Sequence, residues 1–515
     1  MKSISLNRGV GKSSRYFYTL LLYIIKGYVF SSNCIADYDH VIPVSMEVFD
    51  GDDIVVRPGD VVGIEAGDRG ELIVQNISGA AMDPVIFVNK GGQVRIGNLG
   101  SGDGIKILGS EHFELRGDGD PSVFYGIDVY KAGGQCIKIA GLSSNFEICF
   151  IEVSNPGFAG IMAKTDPGEN GYAHRGTFTQ YDTVIHDIYA HDVPGESLYI
   201  GNSFYASGLS NDLVGVRIYN VISERSGREG IQVGSASSDC EIYDNVIRDA
   251  GLLRISGQSN GLQIGEGTTG KCYGNIIINA PANGIVCLGL GNNLIYNNVI
   301  ANTGTNGIFS DNRAGAEIVG GYVRVYNNTI INPTRDGLLS FNEVSENEFK
   351  NNIVIGSDAD YHAVNTGNGA TVSSANNVYQ LTTEGLKFVD TSIDDYRILS
   401  GSVAIDAGIG LSPDVTEDIE GLARPLGHGY DVGAYESGAL SVTTFCTNPS
   451  KWGVTDGSIS VSVIGGRPPY TYAWSQEASE ATLCKLSAGS YSVTVTDSAS
   501  VSVTRKVTLT QSPKL

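Results

Sequence analysis

The chain is poor in the residues that usually hold compact domains together. It has eight cysteines in 515 residues, two tryptophans and only 17% charged residues. So few cysteines exclude a disulfide scaffold in a chain of this length, and none shows the paired spacing of a zinc site. Basic residues are also scarce, 34 against 56 acidic ones, and the net charge of −22 excludes a nucleic-acid partner, which needs basic surface. A local basic cleft for an anionic substrate stays open. No apolar run reaches the roughly twenty residues that cross a bilayer, so no transmembrane segment is expected. The apolar run 16–25 follows Lys2, Arg8, Lys12 and Arg15 and ends at Lys26, which reads as an export signal over 1–36. Ser31-Ser32-Asn33-Cys34 offers a lipoprotein cleavage site, but Asn directly before Cys34 fits that pattern badly. A secreted or cell-surface monomer is expected.

A helical period is missing as well. In its place one short phrase is repeated: Ile218-Tyr219-Asn220-Val221-Ile222, Ile242-Tyr243-Asp244-Asn245-Val246-Ile247, Cys272-Tyr273-Gly274-Asn275-Ile276-Ile277 and Ile295-Tyr296-Asn297-Asn298-Val299-Ile300. Copies at Asn328, Asn352 and, more weakly, Asn377 complete the series. Between them runs a second phrase, Gly, aliphatic, any residue, then small or aliphatic, at Gly230, Gly261, Gly284, Gly307 and Gly337. Two short period-2 strands in a repeat of roughly two dozen residues describe one coil of a solenoid. Coils must stack to bury their inward aliphatics. The column Asn220, Asn245, Asn275, Asn298, Asn328, Asn352 and Asn377 then marks a turn where amides bond from coil to coil and the backbone tolerates a left-handed residue. Longer repeats carry loops at 250–258 and 313–321, and Cys272 and Cys287 fall on inward positions. An all-β chain is expected: a right-handed parallel β-helix over 41–438, its hand taken from likeness to known solenoids, followed by a small Ig-like β-sandwich over 441–515.

Two passages carry family resemblances. Asp395-Tyr396-Arg397-Ile398-Leu399, Ala404-Ile405-Asp406-Ala407-Gly408, Asp418, Gly421, Arg424 and Asp431-Val432-Gly433-Ala434-Tyr435-Glu436 resemble the choice-of-anchor Q segment that closes many exported bacterial β-helices. Val403 stands where that family usually has Pro. The resemblance implies a closing segment over about 395–438 in which Asp418, Arg424 and Asp431 form a structural salt-bridge and turn network. Farther on, Asp456-Gly457-Ser458-Ile459, Pro468-Pro469-Tyr470-Thr471-Tyr472-Ala473-Trp474 and Ala488-Gly489-Ser490-Tyr491 through Asp497 resemble the SprB repeat of exported proteins of gliding Bacteroidota. That family usually has a Cys shortly after the final Asp; Ser500 and Val501 occupy the region here, so Cys446 lacks its usual partner and a pairing with Cys484 is left open.

The residues just before the Gly phrase form their own column: Glu196, Glu229, Asn260, Asn283, Asn306 and Asp336. Neighbouring coils lie about 4.8 Å apart, so Glu196 and Glu229 are expected to be vertical neighbours. Two carboxylates that close share a proton or recruit a cation. With Asn260 they make an oxygen set of the kind that suits Ca²⁺, as in β-helix lyases that neutralise a uronate carboxylate before a basic side chain removes the C5 proton. The bland alternative is a polar ladder at a turn. A carboxylate pair about 5 Å apart also suits a retaining glycosidase.

Titratable groups crowd around this column. Lys164, His191, Glu196, Arg228 and Glu229 are the candidate catalytic residues; His174, Arg175, Tyr199, Tyr205, Arg225, Gln232 and Gln263 are candidates for binding substrate. Three of the seven histidines fall between 174 and 191, and histidine moves protons near neutral pH. Interleaved tyrosines offer faces to sugar rings. The reading that follows is an extracellular protein acting on an acidic polysaccharide by β-elimination. A non-catalytic carbohydrate-binding or adhesive protein, a hydrolase and a plain spacer are the alternatives.

Overall fold

A computed structural model describes residues 37–510 except 313–317, 357–361, 400, 439, 452, 465, 467, 468 and 499. The export signal, Cys34 and most of the loop at 313–321 lie outside the described residues.

From His40 to Gln380 the chain forms a right-handed parallel β-helix. From Cys240 onward each complete coil has three strands rather than two, while in several earlier coils the first two are continuous, as in Thr183–Val193. In one coil they are Cys240–Tyr243, Val246–Arg248 and Leu262–Ile264, and each pairs in parallel with its counterpart one coil on. The repeated phrase therefore spans two strands, with the asparagines at the bend between them. Among the described residues, twelve short strands stack into the sheet that contains Leu198–Ile200 and Leu262–Ile264. The longer runs of the other two sides join in a second parallel sheet.

Inward residues stack in files that the register makes explicit. Ile185, Ile218, Ile242, Cys272, Ile295, Val325 and Phe349 follow one another up one side. Leu198, Ile231, Leu262, Ile285, Ile308 and Leu338 do so up another. Both files are shut off from solvent. A single coil exposes these residues, so the stack is the smallest unit with an apolar interior.

The bend uses two adjacent columns with separate jobs. Asn220, Asp244, Asn297, Asn327, Asn351 and Asn376 take positive φ, between 50° and 57°, which short polar side chains tolerate best among non-glycine residues. The next residue, at Asn245, Asn275, Asn298, Asn328, Asn352 and Asn377, carries the coil-to-coil amide ladder. Asn220 belongs to the left-handed column, not to the ladder as its phrase suggests. Register sets Tyr219 against Tyr243 and Ile222 against Val246, so Val221 occupies the ladder position and donates its N–H to Asn245 Oδ1 at 3.0 Å.

The passage 395–438 lies along the outside of the stack. The left-handed asparagines hold it: Asn376 donates to Ala407 O, Asn351 to Ile409 O, Asn327 to Asp431 O and Asn297 to Glu417 O. Its Tyr396, Ile398, Val432 and Ala434 cover the outward Val299, Ala301, Ile331, Ile353 and Ile355. Arg424 and Glu436, both fully buried, pair at 2.6 Å. Asp418 accepts from the backbone of Glu420, Leu422 and Glu436, and Asp431 from that of Asp406 and Ser437. These residues are the structural network expected of them.

Beyond it stands a small antiparallel sandwich. One sheet holds Ser441–Thr447, Gly457–Ile464 and Thr482–Leu486; the other holds Thr471–Trp474, Gly489–Thr496 and Ser502–Leu509. Among the described residues its core, with Trp474, Tyr491 and Val493, consists of residues from Leu440 onward. Cys446 and Cys484 are both free and exposed, with the strand Gly457–Ile464 between theirs.

Candidate functional site

Outward residues of the short-strand sheet also fall into a file. Register places Tyr199, Gln232 and Gln263 at the same position in three successive coils. They floor a cleft of about 230 Å³ whose walls are Glu196, Ser203, Arg228, Gln258, Glu266 and Leu288. Five residues expected from sequence therefore meet here: Glu196, Tyr199, Arg228, Gln232 and Gln263. Lys164, just past the strand Ile161–Ala163, lies against the same file, with Nζ 4.7 Å from the Tyr199 ring centroid and 2.7 Å from Asp166 Oδ1. Arg228 reaches Glu196 Oε1 at 3.5 Å and lays its guanidinium over Phe158, 5.0 Å from the ring centroid. Gln232 Nε2 donates to Ser203 Oγ at 3.2 Å.

The expected acidic column begins in this wall at Glu196 and continues through Glu229, with both glutamates buried. Asn260 Nδ2 donates to Glu229 Oε1 at 2.9 Å, Asn283 Nδ2 to Asn260 Oδ1 at 2.9 Å and Asn306 Nδ2 to Asn283 Oδ1 at 2.8 Å. Farther on, His362 Nδ1 lies 3.1 Å from Asp336 Oδ1. Burial pushes the Glu229 carboxyl up to about 7; the bond from Asn260 works against this and the charge of Glu196 adds to it. Burial raises Glu196 too, opposed by Arg228 and Lys164. One oxygen of each carboxyl, Oε2, has no hydrogen-bond partner among the described residues.

This geometry does not fit the expected Ca²⁺ set. Asn260 turns its amide nitrogen to Glu229, and its oxygen accepts from both the backbone and the side chain of Asn283. Two free carboxyl oxygens fall far short of the six to eight oxygen ligands that Ca²⁺ takes. Burial works against charge on both carboxyls, and Arg228 opposes it at Glu196.

The remaining candidates lie elsewhere. His191 and Arg225 project from the long strands Thr183–Val193 and Arg217–Ser226 and do not line the cleft. His191 is held by Asp192 at 2.7 Å and Glu152 at 3.1 Å, while Arg225 clamps Asp192 at 2.7 and 2.9 Å. A bend at Pro194 and Gly195 turns the chain to another side between His191 and Glu196. Tyr205 is buried against Gly267, and its ring face is taken by Arg175 at 4.1 Å, so it offers no sugar platform. His174 sits in the 165–178 loop, where its backbone bonds Gly171, Thr177 and Phe178, and like Arg175 it does not line the cleft.

Ser203, Gln258, Glu266 and Leu288 were missed by the sequence reading. All four follow or precede a strand by a few residues, and no repeat marks them. Glu266 carries the one usable signal, standing three residues past the outward Gln263.

Two family models match the chain: Right handed beta helix region over residues 198–384 and SprB repeat over 443–479. No curated protein matches. Among solved structures, an alginate lyase from Paenibacillus sp. str. FPU-7 aligns at 14% identity and TM-score 0.35, covering 66% of this chain and 98% of that one. A point mutant of the periplasmic alginate epimerase AlgG aligns at 12% identity and TM-score 0.36, covering 66% and 85%. The A-module of the Azotobacter vinelandii mannuronan C-5 epimerase AlgE4 aligns at 12% and 0.30, covering 63% and 89%.

Proposed function

We propose that the cleft around Tyr199 binds a strand of an acidic polysaccharide and cleaves it by β-elimination. The observation that carries this reading is the chemistry of the lining. A guanidinium, Arg228, stands beside a file of one aromatic ring and two amides, with a third amide, Gln258, in the wall. Amides match sugar hydroxyls, a tyrosine ring matches a sugar face, and Arg matches a carboxylate.

In this reading Arg228 receives the uronate carboxylate and draws off charge, which makes the C5 proton acidic. Buried Glu196 holds Arg228 from below, as a positioning residue. Tyr199, reacting as the phenolate beside Lys164, takes the C5 proton. The C4–O bond breaks, a C4–C5 double bond forms, and the Tyr199 phenol passes that proton to the departing oxygen, which returns Tyr199 to the phenolate. Hydrolysis by a glutamate pair is disfavoured because Glu229 is bonded into the ladder beneath the wall.

Binding without cleavage is the second reading, favoured by the burial of both glutamates. The test is a panel of acidic polysaccharides with varied uronates, read for affinity, for absorbance of unsaturated uronate and for reducing ends. Cleavage predicts all three with at least one polymer. Affinity alone selects the binding reading, and no affinity for any polymer removes both.

A further inference from the structure

Away from the cleft, on the long-strand face, register sets Arg116, Cys149 and His186 at one outward position in successive coils. The same file continues as Tyr219, Tyr243, Tyr273 and Tyr296, whose rings stack on His186 and on one another at 4.5–5.0 Å. Cys149 thus puts a thiol next to an aromatic file, under the His186 ring. Glu147, two residues earlier on the same strand, points to the same face.

The three ligand-type atoms converge. Glu147 Oε1 lies 3.2 Å from His186 Nε2 and 3.8 Å from Cys149 Sγ, and all three atoms are within 4.8 Å of one another. A tetrahedral zinc ion with ordinary bond lengths sets its N···O edge at about 3.4 Å and its S···O edge at about 3.6 Å. Two edges of such a site are therefore already in place. The other ring nitrogen, His186 Nδ1, is bound by Asp187 Oδ2 at 2.5 Å. That is the outer-shell contact that fixes a metal-ligating histidine and leaves Nε2 facing the ion.

We propose that Glu147, Cys149 and His186 bind a divalent ion of the zinc class, with Asp187 orienting His186 and the fourth position open to water. Three protein ligands of mixed oxygen, sulfur and nitrogen type suit Zn²⁺ better than Ca²⁺ or Mg²⁺, which take oxygen alone. Entry is open on one side, since the Glu147 side chain keeps about a third of its exposure. Burial holds the Cys149 thiol well above its ordinary range, so it is no free nucleophile. Binding an ion displaces its proton and that of the imidazolium, which go to solvent. Arg116, one coil below, is itself engaged by Asp118 and Glu114 at 2.7 and 2.9 Å and balances the negative ligands.

The test uses the full chain, stripped of metal, with exposed Cys446 and Cys484 replaced by Ser. It is titrated with Zn²⁺ against a chromogenic chelator, and with Co²⁺ while near-ultraviolet thiolate-to-cobalt absorption is recorded. One Zn²⁺ per chain and a thiolate–cobalt band are expected. Cys149→Ser removes the band; Glu147→Gln and Asp187→Asn weaken Zn²⁺ binding about 10–100-fold. Because Cys149 is buried and its variant can misfold, partly exposed Glu147 supplies the independent arm. No uptake, uptake without the band, or equal affinity in Glu147→Gln overturns the site.

Discussion

Asn298 Nδ2 lies 2.9 Å from Asn328 Oδ1, and the Asn298 backbone N–H reaches the same oxygen at 3.0 Å. One side-chain oxygen thus satisfies two buried donors of the coil below. Asn298 Nδ2 also donates to Cys272 O at 3.0 Å. Asn298→Leu strands these partners and is expected to cost about 1–3 kcal/mol. Asn377, only half-buried at the end of the ladder, should tolerate the same change better. Equal urea midpoints for the two variants would count against the ladder.

The buried pair of Arg424 and Glu436 predicts a second effect. Arg424 Nη1 also donates to Asp431 O, and Nη2 to Gly433 O. Arg424→Met leaves the Glu436 charge buried and unpaired, at a cost of about 3–5 kcal/mol. The passage 395–438 should then detach from the coils and become open to limited proteolysis. Unchanged protease resistance would mean that the pair does not hold it.

Glu229 predicts a pH dependence. The unfolded chain releases this proton near pH 4.5 and the folded chain near 7. Between those values the folded state binds more protons, so its stability falls as pH rises. The contribution is complete below about 4.5 and gone above about 7, an upper limit of about 3–4 kcal/mol. Glu229→Gln imitates the protonated form, so it should flatten this part of the profile and stabilise the chain at pH 8. A wild-type slope retained in the variant would place the titration elsewhere.

The sandwich is expected to be independent, since among the described residues its core consists of residues from Leu440 onward. Ending the chain after Gly438 should leave the melting of the β-helix within a degree or two. A large drop would mean that the sandwich is docked on the coils.

The coils were readable in the sequence because each one repeats its asparagines, its glycine and its alternation. Asn220 was misplaced by one because its phrase has a single Asn, and the left-handed and ladder roles differ by one residue. The path of 395–438 along the coils left no signal, since it depends on outward aliphatics such as Val299 and Ile353 needing cover. The cleft was half readable. Tyr199, Gln232 and Gln263 share a phrase position and so a face. His191 lies five residues from Glu196 in sequence, but a corner separates them, and a repeat count gives no direction for an outward side chain.

The central claim is that Arg228 and the Tyr199 file form the working cleft. The direct measurement is the rate at which unsaturated uronate forms from the responding polysaccharide, compared between wild type, Arg228→Ala and Arg225→Ala. Loss of a group that acts in the transition state typically lowers the rate by orders of magnitude, here at least about 100-fold for Arg228→Ala. Arg225→Ala, on the other side of the coil, should keep the wild-type rate. Full activity in Arg228→Ala, or equal loss in both variants, would contradict the account.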